Sequence, residues 1–320
     1  MIKKGLTYLK IIVGFLLIFF ISKRIGVPNI IDALLKINTI YILLILIVYF
    51  VSLVIGSYNV KMLLNHKYKN IRFSSFFKHF FTSNSIGLFL PGKIGDFSIS
   101  YFLNREHNVK ASHSFSAVLI DKLLTLIFVI LVALIGILFL FEDLIQDYLI
   151  ILGIIALAIL GILVLIIFGK KLIKIMLGDY YKYYDEISDF FKEILKSQKK
   201  ILLLNILLTT LRSIILTLVF YLSFMAFGLN IDFIKLFLIN SIVIFISLIP
   251  ISISGLGIRE GSAVFFFNKF NIPSAITFNA FILVTIITYI IAVINLIIYN
   301  PKMKYKEVKG LTEAKNTSQL

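Results

Sequence analysis

Seven charged residues lie in or beside strongly apolar stretches of this sequence, and they are the residues best suited to do chemistry. A charge at the centre of a lipid bilayer costs about 2.5–3.5 kcal/mol or more, so each one there needs a partner or a function. Arginine and lysine bind phosphate and carboxylate groups, and a nearby carboxylate can hold the cation or exchange partners with it. The seven candidates for binding an anionic group are Lys93, Asp96, Asp121, Lys122, Arg212, Arg259 and Glu260.

Arg212 is the charge placed deepest in an apolar stretch. It lies about eleven residues into the stretch 201–227, or roughly 16 Å along a helix, which is near the middle of a ~30 Å hydrocarbon core. One interpretation is a buried ion pair with Asp121 or Glu260 that fixes helix packing. The other is a guanidinium that binds an anionic headgroup, because its planar fork suits phosphate.

Asp121 and Lys122 are neighbours about one turn inside another apolar stretch, 115–141. Adjacent residues point about 100° apart on a helix. One side chain is therefore expected to face the other helices while the other reaches back to the membrane interface. Both an interfacial ion pair and a gating role remain open.

Two clusters of helix-breaking residues interrupt apolar regions: the first break, residues 90–96, and the second break, residues 249–261. Proline removes a backbone donor and glycine frees the backbone, so each cluster should open a helix. Open backbone survives at membrane depth only where it is buried in protein or lines a wet cavity. The predicted helix-breaking positions are Pro91, Gly92, Gly95, Pro250, Gly255, Gly257 and Gly261.

Each break carries a base and an acid beside its glycines: Lys93 with Asp96, and Arg259 with Glu260. A helix that restarts after a break points N–H groups and the positive end of its dipole outward, which favours phosphate binding there. The alternative is a sharp turn with a local salt bridge.

The elements that position these residues are predicted to be membrane helices. The two interrupted regions, 76–103 and 233–270, have arms of roughly 14–17 residues, too short to cross comfortably, and they are predicted to form re-entrant hairpins. We therefore expect an all-α, polytopic membrane bundle that forms a single domain over residues 1–300. The six predicted full spans are 6–22, 40–58, 115–141, 148–168, 201–227 and 276–299.

Basic loops predict the orientation, because they stay in the cytoplasm. The loop 169–200 and the short polar tail 301–320 are rich in lysine, whereas the turn 142–147 is acidic. Both termini are therefore expected in the cytoplasm of a cell-membrane protein, although the external loop 23–39, with three basic residues, runs against the rule. With this orientation, residues 40–141 and 201–299 form the same unit in opposite directions, the arrangement of inverted-repeat transporters.

Composition excludes several classes of function. Hydrophobic residues make up 60% of the 320 and charged residues 15%, against roughly 25% charged in soluble domains. Without cysteine there is no thiol chemistry, and the net charge of +16 lies in loops, where anionic lipids are nearer partners than nucleic acids. The four histidines show no metal-ligand spacing and the glycines no nucleotide-binding motif. We expect no metal, no cofactor and no enzymatic activity.

Three segments together resemble conserved blocks of the lysylphosphatidylglycerol synthase transmembrane family, whose members are often described as flippase-like. They read Leu-Pro-Gly-Lys-Ile-Gly-Asp at 90–96, Val-Leu-Ile-Asp-Lys-Leu at 118–123, and Gly-Leu-Gly-Ile-Arg-Glu-Gly at 255–261. The family usually has Arg and Glu where this chain has Lys93 and Asp96, and Glu-Arg in place of Asp121-Lys122. Lysine lacks the bidentate fork of arginine, so headgroup recognition is expected to differ.

The resemblance implies translocation of an anionic lipid or lipid-linked headgroup between leaflets. Bifunctional relatives add a soluble aminoacyl-transferase domain, which this sequence lacks, so synthase activity is not expected. The alternatives are a small-solute or ion-coupled transporter, a membrane accessory to a lipid- or glycan-synthesising enzyme, and an enzyme with Asp96 or Glu260 as general acid or base.

Overall fold

The computed structural model describes residues 2–141, 181–249 and 251–299, and every regular element within these ranges is helical. Two 3-10 segments, Pro91–Ser98 and Ile253–Gly255, lie in the first and second breaks. The α-helices are α1 (Ile2–Ile25), α2 (Val27–Leu35), α3 (Ile40–Leu64), α4 (Phe73–Leu88), α5 (Ile99–His107), α6 (Ala111–Leu140), α7 (Tyr181–Ser197), α8 (Lys199–Ala226), α9 (Phe233–Ser247), α10 (Ile258–Asn268) and α11 (Ser274–Tyr299).

Four helices, α3, α6, α8 and α11, are long and apolar enough to cross a membrane. They match the predicted spans that begin at residues 40, 115, 201 and 276 to within a few residues at each end, so the prediction of an all-α membrane bundle is confirmed. The predicted turn 142–147, span 148–168 and tail 301–320, together with Pro250, lie outside the described residues.

The chain between the first two predicted spans is not the simple loop expected for 23–39. Helix α2 occupies much of it and meets the segment Ile12–Ile25 at 88°, so α1 and α2 form a bent pair. Gly26, with φ of +93°, makes the bend, and Pro28 lies in the first turn of α2, where proline is tolerated. Counting this pair as one span raises the number of candidate spans in the described ranges to five.

Both interrupted regions fold back on themselves as hairpins. In the first, the rings of His79 on α4 and Phe102 on α5 stack with centroids 5.8 Å apart. In the second, the ammonium of Lys235 at the start of α9 lies 4.6 Å from the ring centroid of Phe270, which follows α10. Each break therefore lies at the tip of a hairpin whose two arms run side by side.

The two units contact each other as an inverted repeat. Helix α3 packs against its counterpart α8, α4 against α11, and α9 against α6. Along α3 and α8 the partners run in opposite directions: the Asn38 N–H donates to the Ala226 carbonyl at 2.8 Å, and Asn59 Nδ2 donates to Thr209 Oγ1 at 3.0 Å. At the centre the breaks meet, where the Ser254 hydroxyl donates to the Leu88 carbonyl at 2.9 Å.

Helix α7 corrects the prediction of a basic loop over 169–200. It presents one apolar face, on which Phe190 and Ile194 are fully buried against the ends of α3 and α6, whereas Lys192 and Lys196 are at least partly exposed. The helix was missed because many lysines obscure its apolar residues at helical spacing. Residues 169–180 lie outside the described residues.

An ion-pair network attaches α7 to the loop after α3. Glu193 contacts Lys67, and its Oε1 lies 3.3 Å from His66 Nε2. Partial burial raises the pKa of the Glu193 carboxyl, but the hydrogen bond and charge of Lys67 outweigh this, so that pKa lies below its ordinary value. The ion pair of Glu193 therefore stabilises the fold fully above the pKa of about 4.3 that this carboxyl has in the unfolded chain. This stabilisation is lost as the pH falls through the lowered pKa of Glu193 in the folded protein.

Glycines let the first break lie directly against the end of α4. A Cβ at position 95 would lie 2.6 Å from the backbone nitrogen of Gly87, and one at Gly87 would lie 2.0 Å from Asp96 Oδ1. Gly92 serves a different purpose, because its φ is +64° and no atom lies within 4 Å of its Cβ position. Gly95 is thus required for close packing and Gly92 for a left-handed backbone.

We predict that larger residues at position 95 destabilise the protein progressively. Gly95→Ala should cost about 1–3 kcal/mol through overpacking, and Gly95→Leu more. At position 92, alanine and leucine should cost nearly the same, about 1–2 kcal/mol, because only backbone strain is involved. Thermal unfolding of the four detergent-purified variants measures this. Equal dependence on side-chain size at both positions would contradict the assigned role of Gly95.

Candidate functional site

Asp121 joins three helices at the centre of the bundle. Its carboxylate is buried, and its Oδ1 accepts a hydrogen bond from Asn59 Nδ2 on α3 at 2.8 Å. Its Oδ2 lies 3.9 Å from Nη1 of Arg212 on α8. Of the two partners considered for Arg212, the structure selects Asp121.

The Arg212 guanidinium rests against the backbone of α3 at Gly56. A Cβ on Gly56 would lie 3.1 Å from the guanidinium carbon, so alanine there would require the guanidinium to shift by a few tenths of an ångström. The separation of 3.9 Å from Asp121 exceeds the 2.7–2.9 Å of a charge-assisted hydrogen bond. Most of the five guanidinium N–H donors are therefore not used by the carboxylate.

Asp96 and Lys122 form the second ion pair, which links the first break to α6. Asp96 Oδ2 accepts from the Lys122 ammonium, while the buried Oδ1 has no hydrogen-bond partner. Asp121 and Lys122 thus point to different partners, as their helical spacing predicted. Asp121 faces α3 and α8, as predicted for one of the two, whereas Lys122 turns to the buried Asp96. That Lys122 reaches the membrane interface stays a prediction.

Arg259 and Glu260 form the third pair, in the second break. Glu260 is fully buried; its Oε2 accepts the Gly257 N–H at 2.7 Å, and its Oε1 accepts the Thr285 hydroxyl at 2.8 Å. Arg259 donates to the same Oε1, with Nη2 at 3.1 Å, and to Thr285. Glu260 therefore occupies the N-terminus of α10.

This arrangement corrects the expectation of a phosphate site at the restarting helix. The positive end of the α10 dipole is already neutralised by the protein's own carboxylate, so an external anion would have to displace it. Gly261, predicted as a helix breaker, lies inside α10, and a Cβ there would lie 3.1 Å from the Ile21 side chain of α1. Gly257 has a φ of +82° and approaches the Gly14 carbonyl of α1, so α1 closes over this break.

Lys93, in the first break, is close enough to interact electrostatically with charges of the second break, α6 and α8. Its side chain is exposed, its φ is +54°, and the charges that act on it belong to Asp96, Lys122, Arg212 and Arg259. All seven predicted residues thus contribute to one region where the hairpin tips meet α6 and α8.

The carboxylates of this region are more deeply buried than the cations. The three carboxylates are buried, whereas the paired cation side chains keep between 21 and 36% of their surface exposed. Four cations face three carboxylates, so the accessible side is positive. Such a surface suits an anion.

The site is nearly closed in this conformation. The cavity beside Asp96, Asp121 and Lys122 measures about 10 Å³, which holds at most about one water molecule. A groove of about 780 Å³ lies elsewhere, where the α1–α2 bend faces α10 and the start of α11, and Arg24 and Lys269 line it. None of the seven charged residues lines this groove. We therefore place the candidate site at the seven charged residues and not in the groove.

Comparison with known families agrees with this arrangement. Residues 8–295 match the family model described as lysylphosphatidylglycerol synthase TM region. The chain belongs to this family. The match confirms the resemblance and covers all seven residues of the site. A search of the curated proteins found no match. The protein is therefore a membrane protein of a family linked to lipid metabolism.

Sequence reasoning missed the neutral residues that complete the site. Asn59 donates to Asp121 and to Thr209, Thr285 binds the Arg259 pair, and Gly56 makes room for Arg212. Asn59, which directly follows the predicted span 40–58, was an available signal, because buried amides need partners. Threonine carries no such signal, since its hydroxyl can bond to its own helix backbone.

We predict that Asp121→Asn destabilises the protein by about 3 kcal/mol, because removing one partner leaves a charge poorly compensated in a low-dielectric site. Asp32→Asn on the exposed face of α2 is the matched control and should change stability by no more than about 0.5 kcal/mol. Thermal unfolding in detergent compares the two. Equal losses would show that the Arg212 ion pair does not stabilise the bundle.

Proposed function

We propose that this protein moves an anionic lipid headgroup between the two leaflets of the cell membrane. The observation that carries the proposal is the group of four partly exposed cations, backed by three buried carboxylates, where two opposed hairpins meet. A lipid phosphate would bind Arg212, Arg259 and Lys93 on their accessible side.

Arg212 is the proposed principal phosphate ligand. Its guanidinium is held in position by Gly56 and Asp121, yet most of its donors stay available. Arg259 already donates to Glu260 and Thr285, so it would contribute mainly charge. Asp96 and Asp121 would hold the cations while no headgroup is bound, and would exchange partners with it as it passes.

The closed site corresponds to an occluded state in this proposal. In inverted-repeat transporters, broken helices meet near the midplane and access alternates between the two sides. Here the Ser254 and Tyr289 hydroxyls both donate to the Leu88 carbonyl, at 2.9 and 3.1 Å, and connect the first hairpin to the second unit. Opening toward either leaflet would require these contacts to separate.

We place the end of the bundle that carries α7 on the cytoplasmic side, with both termini, because it concentrates basic residues. Lys67, Lys110 and the lysines of α7 lie there. Anionic lipids are the proposed partners, and a membrane enzyme that makes or uses the lipid is a possible second one. Transport is favoured over catalysis because both Glu260 oxygens already accept hydrogen bonds.

We predict that Arg212→Ala slows headgroup transfer by at least about 10-fold, because a hydrogen bond to a charged group contributes about 1.5–3 kcal/mol. Liposomes containing the purified protein and fluorescent anionic phospholipids are treated with a membrane-impermeant quencher. The unmodified protein should expose label beyond the outer-leaflet half. Arg212→Lys should retain part of the activity, and Arg72→Ala, an exposed arginine outside the site, should retain all of it.

Full transfer by Arg212→Ala would overturn the assignment of this residue. Uptake of a small anion into liposomes of inert lipids, with no lipid transfer, would favour the solute transporter that the same cations fit. Neither activity with any headgroup tested would favour an accessory role.

A further inference from the structure

A cluster separate from the charged site lies at the base of the first hairpin, away from its tip. His79 belongs to α4, and Glu106 and His107 form the last turn of α5. One nitrogen or oxygen ligand atom from each lies within 4.8 Å of the other two. The chain spacing of these residues does not suggest a metal site, because only folding of the hairpin brings the two arms together.

His79 is the most constrained member. Its ring is buried and stacks on Phe102, with the two planes inclined by only 15°. Its Nε2 lies 3.1 Å from Glu106 Oε2, a contact that is an ion pair only when the ring is protonated, and Nε2 has no partner besides this carboxylate. A buried polar atom in this condition is unfavourable unless another group binds it.

The spacing fits two ligands of one metal ion. In a tetrahedral zinc site with metal–ligand distances near 2.0–2.1 Å, neighbouring ligand atoms lie roughly 3.3 Å apart. The distance between His79 Nε2 and Glu106 Oε2 is 3.1 Å, and the ligand atom of His107 lies within 4.8 Å of both. We propose that His79, Glu106 and His107 form a binding site for a divalent transition metal, with zinc as the best fit. Two imidazoles and one carboxylate suit zinc, whereas calcium and magnesium prefer oxygen ligands throughout.

The surroundings supply what such a site needs. The Ser75 hydroxyl lies 2.8 Å from His107 Nε2 and orients that ring, as groups around metal ligands commonly do. Glu106 is about half exposed, which leaves access for the ion and a position for water. The nearby Lys78 ammonium lies 5.3 Å from the Tyr299 ring centroid and is directed toward α11.

A metal at this position would connect the two arms of the first hairpin. The tip of that hairpin carries Lys93 and Asp96, so the ion would set how far the arms can separate. This inference does not depend on lipid transfer, since the ligands are distinct from the seven charged residues.

The test is zinc binding by the full-length protein in detergent after treatment with a chelator. Dialysis against zinc chloride and elemental analysis give the stoichiometry, and competition with a chromogenic chelator gives the affinity. We expect one zinc per chain. Glu106→Gln and His107→Gln, both on accessible residues, should weaken binding at least about 10-fold. His79→Gln should do the same, and His113→Gln, a histidine that contacts Tyr68 instead, should bind as the unmodified protein does.

A second measurement is independent of stoichiometry. Bound Co²⁺ should give the visible absorption of a tetrahedral site in the unmodified protein and in His113→Gln, but not in Glu106→Gln or His107→Gln. Unchanged zinc affinity in these last two variants, or no zinc retained by the unmodified protein, would overturn the proposal. Because both altered residues are accessible, misfolding of His79→Gln alone would not prevent a decision.

Discussion

The cost of an unsatisfied polar group in hydrocarbon is the constraint on which the structure depends. Each break in a membrane helix frees backbone groups that water cannot reach, so protein groups must bind them. Glu260 shows how this is done: one buried carboxylate accepts the N–H of Gly257 and holds Thr285 and Arg259. The same residue therefore caps a helix, links it to α11 and positions a cation.

The inverted repeat follows from the same constraint. A single hairpin would leave its open tip facing lipid, whereas two hairpins of opposite direction can satisfy each other. The Leu88 carbonyl at the end of α4 accepts hydroxyls from Ser254 and Tyr289 of the other unit. Helix α1, which belongs to neither unit, covers the second break where Gly14 meets Gly257.

The carboxylates and cations of the candidate site differ in burial: the carboxylates are buried, whereas the cations are partly exposed. An amide donor holds Asp121, and hydroxyl and backbone donors hold Glu260, while the cations keep part of their surface accessible. At 3.9 Å, Asp121 still attracts the Arg212 guanidinium electrostatically. The distance is too long for a strong hydrogen bond, so most of the guanidinium N–H donors are not used by the carboxylate. In the proposed function, this arrangement would let the site hold an anionic headgroup briefly and then release it.

The sequence by itself determined the membrane bundle, the long spans, the two breaks and the seven charged residues. These are local properties: hydropathy over about twenty residues and helix-breaking types need no knowledge of distant partners. The sequence also predicted the inverted repeat, because the order of spans and breaks in residues 40–141 recurs in residues 201–299.

Only the tertiary structure decided the partners. Asp96 with Lys122, and Asp121 with Arg212, are pairs that no periodicity connects, and only the fold shows that Glu260 accepts the Gly257 N–H at the start of its own helix. Helices α2 and α7 were missed because short or lysine-rich helices are stabilised by packing more than by local preference. The base of the first hairpin is the clearest case, since the ligand set there exists only once α4 and α5 lie side by side.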